Sequence, residues 1–283
     1  MLLLVLLVAA PLTGARGEER AIPRECSQKL HTLYEELGCT AVYGAGPCPV
    51  KYDCPNLQSR SNNKCHVGGE QYEPGASIGD YYRACSAACV CRDYGESAKI
   101  MCAQIECPEL FNPEYRPPNC IPQYTHDACC SESQFCPNAT KNTTDITCEH
   151  KGKILMQGQK YYPDEEPCKV CVCQEGYDGT LNEPWCKRIY CGIELRHDED
   201  IRSGCIPVYY GGCCPVTYRC PEEGDRLRQL PDDEAQKRTS ADKCVYGSLE
   251  MNVGDMLDLG ADNCTVCTCE TPPLATCNYK CTR

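Results

Sequence analysis

The stretch Cys168-Lys-Val-Cys171-Val-Cys173, continued by Cys186-Lys-Arg-Ile-Tyr-Cys191, Cys205, Cys213-Cys214 and Cys220, decides how this chain folds, because its pattern occurs twice. The earlier copy reads Cys85-Ser-Ala-Ala-Cys89-Val-Cys91, Cys102, Cys107, Cys120, Cys129-Cys130 and Cys136. Counting from Cys65, Cys148 and Cys244, the next cysteine comes twenty positions later each time, at Cys85, Cys168 and Cys264, with a glycine ten positions along at Gly75, Gly158 and Gly254. A single-copy fold has no need of that coincidence. The chain is a tandem array whose units are mostly cystine.

Working outward, Cys26, Cys39, Cys48 and Cys54 end in Cys48-Pro-Val-Lys-Tyr-Asp-Cys54-Pro55, which matches Cys214-Pro-Val-Thr-Tyr-Arg-Cys220-Pro221. Tyr43, Tyr124 and Tyr209 each stand four places after a cysteine. The array therefore reads half, whole, whole, half: a back half over residues 18–55, a first unit over 65–137, a second over 148–221, and a front half over 244–283. These pieces hold 4, 10, 10 and 6 cysteines, so each can close on itself. Residues 222–243, with Glu222-Glu223, Asp232-Asp233-Glu234 and Pro231, read as an acidic linker and hinge. Lys237-Arg238 within it is a weak candidate for proteolytic processing, set against the commoner solvated charge run.

Composition gives the fold class: a small disulfide-rich, mainly β protein of cystine-stapled modules. Of 283 residues 30 are Cys, against two Phe and one Trp, so no unit buries enough apolar surface to fold unaided. Each cross-link contributes about 2–4 kcal/mol by restricting the unfolded chain. In the second unit Lys153-Ile154-Leu155-Met156, Lys160-Tyr161-Tyr162, Lys169 to Cys173 and Trp185 to Tyr190 are short β-prone runs separated by Gly and Pro, which predicts a small antiparallel sheet. The back halves, with several prolines and little alternation, read as loops held by cystines.

Cystine on this scale requires an oxidising compartment. Residues 1–17 read as a signal peptide: a Leu/Val/Ala run to Ala10, Pro11, then small residues at Ala15 and Gly17. The run is about half the roughly 20 apolar residues of a membrane span, and nothing later is more apolar. The expectation is a secreted, extracellular glycoprotein without a membrane span, with sequons at Asn138, Asn142 and Asn263.

Several chemistries are disfavoured. Cys168, Cys171 and Cys173 suit zinc in a cytosolic protein, but behind a signal peptide such residues are far more often disulfide-bonded. No metal and no cofactor is assigned. The five histidines are scattered, with no nucleophile motif and no Gly-rich phosphate loop, so the chain does not read as an enzyme. A net charge of −12 is ill suited to nucleic acid or anionic membrane and favours a basic protein partner. The eighteen tyrosines suit interfaces and equally a half-buried small core.

The order C, C-x2-C-x-C, C-x4-C, C, CC and C resembles the von Willebrand factor type C domain of chordin-like and crossveinless-like proteins. The second unit fits best; the first has one extra residue between Cys85 and Cys89, and both place five residues between the doublet and the final cysteine. The resemblance implies a secreted protein that sequesters or presents a growth factor of the TGF-β superfamily, such as a bone morphogenetic protein, through the front-half sheet. Ile154, Leu155, Tyr161, Tyr162, Trp185, Ile189 and Tyr190 form the richest apolar set for that surface, and the same residues suit a core. An extracellular-matrix adhesion module is a second reading. A third comes from the tail, where Cys264-Thr-Val-Cys267-Thr-Cys269 and Cys277-Asn-Tyr-Lys-Cys281 resemble pacifastin-type serine protease inhibitors. That resemblance places the reactive residue at Tyr279 or Lys280, although the first gap is longer than theirs and the last loop short.

The N-terminal half has Pro47-Cys48 where whole units have a doublet, and it has no front half. The doublet's first member is therefore expected to cross between halves, from Cys129 and Cys213. The type C resemblance implies Cys85–Cys129 and Cys168–Cys213, with Cys65–Cys91, Cys89–Cys102, Cys107–Cys130 and Cys120–Cys136 completing the first unit. The second unit follows with Cys148–Cys173, Cys171–Cys186, Cys191–Cys214 and Cys205–Cys220. That leaves Cys26–Cys48 and Cys39–Cys54 at the N-terminus. In the tail Cys264 has no back half to meet and is expected to close on Cys281, beside Cys244–Cys269 and Cys267–Cys277, as the pacifastin resemblance also implies.

Overall fold

The structure is a computed structural model that describes residues 23, 25–55, 57, 59–79, 83, 85–136, 146–228, 241–260 and 262–281. The expected signal peptide, the sequons at Asn138 and Asn142, and Lys237-Arg238 lie outside them. Each front half is built from the same two hairpins. The first pairs Cys65–Val67 with Glu70–Tyr72, Thr147–His150 with Lys153–Met156, and Cys244–Tyr246 with Leu249–Met251. The second pairs Ser86–Asp93 with Ala98–Gln104, Lys169–Val172 with Cys186–Arg188, and Thr265–Thr268 with Thr276–Tyr279. Each back half contributes a further hairpin: Thr40–Tyr43 with Pro49–Asp53, Ile121–Gln123 with Ser133–Phe135, and Ile206–Tyr209 with Thr217–Arg219.

Fifteen disulfides fix these hairpins to one another, and they join the pairs set out above. Cys89–Cys102, Cys171–Cys186 and Cys267–Cys277 each cross the second hairpin between residues directly opposite in the ladder. Cys65–Cys91, Cys148–Cys173 and Cys244–Cys269 then tie the first hairpin to the second.

The back halves are not simply loops. Helix α1 (Gln28–Glu36) buries Leu30, Leu33 and Tyr34, and Leu37 follows one turn on, the spacing of a single helical face. Helix α2 (Pro108–Phe111) is one turn, followed by a 3-10 turn over Pro113–Tyr115. Helix α3 (Ile193–Arg202) buries Ile193, Glu194, Leu195, Asp198 and Ile201. α1 and α3 end alike: Gly38 N–H donates to Glu35 O and Cys39 N–H to Tyr34 O, matched by Gly204 to Ile201 and Cys205 to Asp200. This is the Schellman arrangement, and a left-handed glycine permits it. A side chain at Gly38 would also collide with the Gly68 carbonyl of the first unit. The acidic stretch 222–243 is partly sheet, since Arg226–Leu227 pairs with Leu257–Asp258 of the tail.

The pieces pack on one another around residues 189–209 of the second unit. Ile206 and Val208 enter the tail's core. Ile193 and Ile201 join Leu30, Leu33 and Tyr34 of α1, while Leu195 and Tyr190 pack with Val67, Ile78 and Ala98 of the first unit. The strand Ile206–Tyr209 pairs in parallel with Thr276–Tyr279, with Val208 opposite Cys277. The N-terminal half reaches the tail through the Tyr34 hydroxyl, which donates to Thr271 O at 2.6 Å and accepts from Leu274 N–H at 2.9 Å.

A buried ionic cluster locks α3 to the first unit. Arg60 pairs with Glu194 and, at 3.3 Å, with Asp198; Arg202 Nε and His66 Nδ1 lie 3.3 and 3.4 Å from Asp198. Gly68 N–H donates to Glu194, and Arg202 donates to the carbonyls of Asn62 and Ala98. Burial pushes the Glu194 carboxyl upward against the opposing pull of Arg60 and the Gly68 N–H. Removing one member strands the others in a dry site. Glu194→Ala is expected to destabilise the oxidised protein by about 3–5 kcal/mol, read as a lowered denaturant midpoint; a change within error would remove the cluster from the stability account.

Candidate functional site

The apolar set expected to form a binding surface is divided by the fold. Ile154 and Tyr162 are exposed, at 71% and 64%. Leu155 and Tyr161 are buried in the second unit's own core, with Trp185 packed against it. Ile189 packs into the core shared with α1, and Tyr190 into the core of the first unit. The alternation along Lys153–Met156 explains the first split: Ile154 lies opposite Glu149 on the outer face, Leu155 opposite Cys148 on the inner one. Ile189 and Tyr190 turn inward because neighbouring pieces cover them, which the second unit's own sequence does not disclose.

Glu149, the cross-strand partner of Ile154, lines a cleft of about 410 Å³ together with His150, Lys151, Glu165 and the loop Gly179, Thr180, Leu181 and Asn182. Its polar groups largely satisfy one another. His150 Nε2 lies 2.8 Å from Glu165 and its Nδ1 3.0 Å from the Tyr177 hydroxyl, which lies 2.6 Å from that of Tyr161. Lys151 Nζ is 3.1 Å from the same carboxylate. Desolvation alone would raise the Glu165 carboxyl, but its own main-chain N–H, Lys151 and His150 outweigh that and hold it at about 2. Both imidazole nitrogens are engaged, and the hydroxyl residue of the lining is Thr180, whose N–H donates to the Asp178 carboxylate.

The tail presents Tyr279 and Lys280 differently from a protease-inhibitor loop. Tyr279 lies opposite Thr265 in the ladder and packs on the tail's core, and its neighbour Asn278 pairs on the other side with Tyr209. Lys280 is exposed, but its N–H donates to Cys264 O. The backbone that a protease would have to engage is thus already paired within a four-stranded sheet. Asn263 is exposed. Three groupings of metal-type ligands occur among the described residues, around Cys191, Cys107 and Cys205, and each consists largely of cysteines committed to disulfides.

No protein-family model matches the chain, and no solved structure matches it significantly. The chain is similar to the mouse von Willebrand factor C and EGF domain-containing protein, 28% identical over 206 residues, covering 70% of this chain and 19% of that protein. It is also similar to mouse Mucin-2, 22% identical over 253 residues (73% of this chain, 5% of the relative). The mouse extracellular matrix organizing protein FRAS1 is 27% identical over 175 residues (62% and 4%). The chain spans less than a fifth of each of these relatives. The similarity thus runs to a von Willebrand factor C protein and an extracellular matrix protein, consistent with the cystine architecture. No described helix is long and apolar enough to cross a membrane.

Because the folded Glu165 carboxyl sits below its ordinary value of 4.5, its contribution to stability is present above that value and is lost as pH falls toward about 2. Glu165→Gln is expected to flatten the fall of stability over that window. Parallel denaturant titrations of both proteins at stepped pH provide the check, and identical slopes would show that Glu165 carries no such linkage.

Proposed function

We propose that this chain is a secreted extracellular binding protein that captures a growth factor of the TGF-β superfamily, of bone morphogenetic protein type, through the front half of its second unit. The observation that carries the reading is the exposure of Ile154, on the hairpin opposite the cleft residue Glu149, and of Tyr162, which follows the edge strand Lys160–Tyr161 of the sheet that Cys148–Cys173 ties to that hairpin. Exposed apolar side chains beside a polar rim are the usual anchors of a protein interface. The net charge of −12 favours a basic partner by raising the encounter rate. The similarity to FRAS1 supports a second reading, matrix adhesion.

Affinity capture of the tagged, secreted protein from its own extracellular fluid, followed by direct titration with the recovered protein or a bone morphogenetic protein dimer, tests the proposal. Ile154→Ala and Tyr162→Ala are each expected to weaken capture by about 1–3 kcal/mol while leaving the thermal midpoint unchanged. Trp185→Ala and Ile189→Ala, which remove packing, are expected to lower the midpoint instead. Recovery of matrix components alone, with no growth factor bound on titration, would favour the adhesion reading.

A further inference from the structure

Among the described residues three equivalent back halves carry three helices, and two of them pack on each other. α1 and α3 pack on one another through Leu30, Leu33, Ile193 and Ile201. The corresponding segment of the first unit has no such cover among the described residues. Leu110 and Phe111 of α2 are 66% and 72% exposed, and Tyr115 of the following 3-10 turn is 55% exposed. Two prolines, Pro108 and Pro113, stiffen the segment, and Cys107–Cys130 anchors it at its start. Three large apolar side chains held rigidly in water on so small a module mark a contact surface.

The charges around this tip select the occupant. Glu114 and Arg116 flank Tyr115, both are exposed, and neither forms an ion pair among the described residues. A patch that carries both signs on either side of an apolar centre is complementary to itself under a two-fold rotation, which places Glu114 of one chain against Arg116 of the other. We propose that the α2 tip is an isologous self-association site, so that two copies of this chain pair through Leu110, Phe111 and Tyr115. The contact does between two chains what α1 and α3 do within one. A stable interface takes about 20–30 residues a side, and the tip, residues 108–116, offers fewer than half that number, so the association is weak and concentration-dependent.

Sedimentation velocity of the full secreted chain over a concentration series tests this. The wild type is expected to shift from monomer to dimer as concentration rises, and Leu110→Ser with Phe111→Ser to remain monomeric with an unchanged thermal midpoint. Glu114→Arg places like charges together twice by symmetry and is expected to weaken the dimer about tenfold or more, and adding Arg116→Glu to restore it. Wild-type protein that stays monomeric throughout, or a dimer indifferent to both the apolar and the charge changes, would overturn the proposal. So would a monomer whose growth-factor capture is lost in the Leu110/Phe111 variant, because the tip would then be a ligand site.

Discussion

Helix α3 is the constraint on which the arrangement of the pieces depends. A ten-residue helix on a small cystine module would ordinarily bury one face. This one has apolar residues on two sides, Ile193 and Ile201 toward α1 and Leu195 toward the first unit, and two carboxylates sunk between them. Glu194 and Asp198 are tolerated there because Arg60 and Arg202 neutralise them and the Gly68 N–H supplies a further donor. Buried charges are poor sources of net stability, yet they penalise any packing that leaves them unpaired. The cluster therefore specifies which surface of the first unit meets α3, and Glu36 of α1 does the same on the other side by accepting the N–H groups of Cys191 and Ile193.

The repeat was legible because cysteine is punctuation that tertiary context cannot override. Spacing marked the repeat, and the type C resemblance supplied the cysteine partners, which the structure joins in the same way. Short strands such as Lys153–Met156 and Lys169–Val172 were legible for a related reason, since Gly and Pro delimit them. The helices of the back halves went unread although Leu30, Leu33 and Leu37 carry the period and Gly38-Cys39 and Gly204-Cys205 mark the ends. Prolines further along the back halves, at Pro47, Pro49 and Pro55 and at Pro207, Pro215 and Pro221, drew the reading toward loops, and α3 hides its signal further, because Glu194 and Asp198 are polar residues on buried faces.

The candidate site was half legible for a different physical reason. Ile154 and Leu155 are adjacent and alike in sequence, and only the strand's register decides which faces water. Tyr161 and Tyr162 divide in the same manner, one closed over His150 and Tyr177, the other exposed. Ile189 and Tyr190 depend on contacts with residues far away in the chain, which no local pattern carries. In a cystine-rich module side chains are too few to separate core from interface by composition, so burial has to be settled by geometry.

The bond between Tyr34 and the tail has a bearing on biosynthesis. Its partners lie 237 and 240 positions further along the chain. The N-terminal half can form Cys26–Cys48 and Cys39–Cys54 as soon as residues 26–54 emerge, yet the peptide groups that satisfy its buried tyrosine follow only with Thr271 and Leu274. Until then the Tyr34 side of α1 is an open apolar surface on an otherwise cross-linked piece. Oxidation and docking are thereby separated in time: these two cystines can close early, and the piece that holds them reaches its final seat only once Thr271 and Leu274 have been translated.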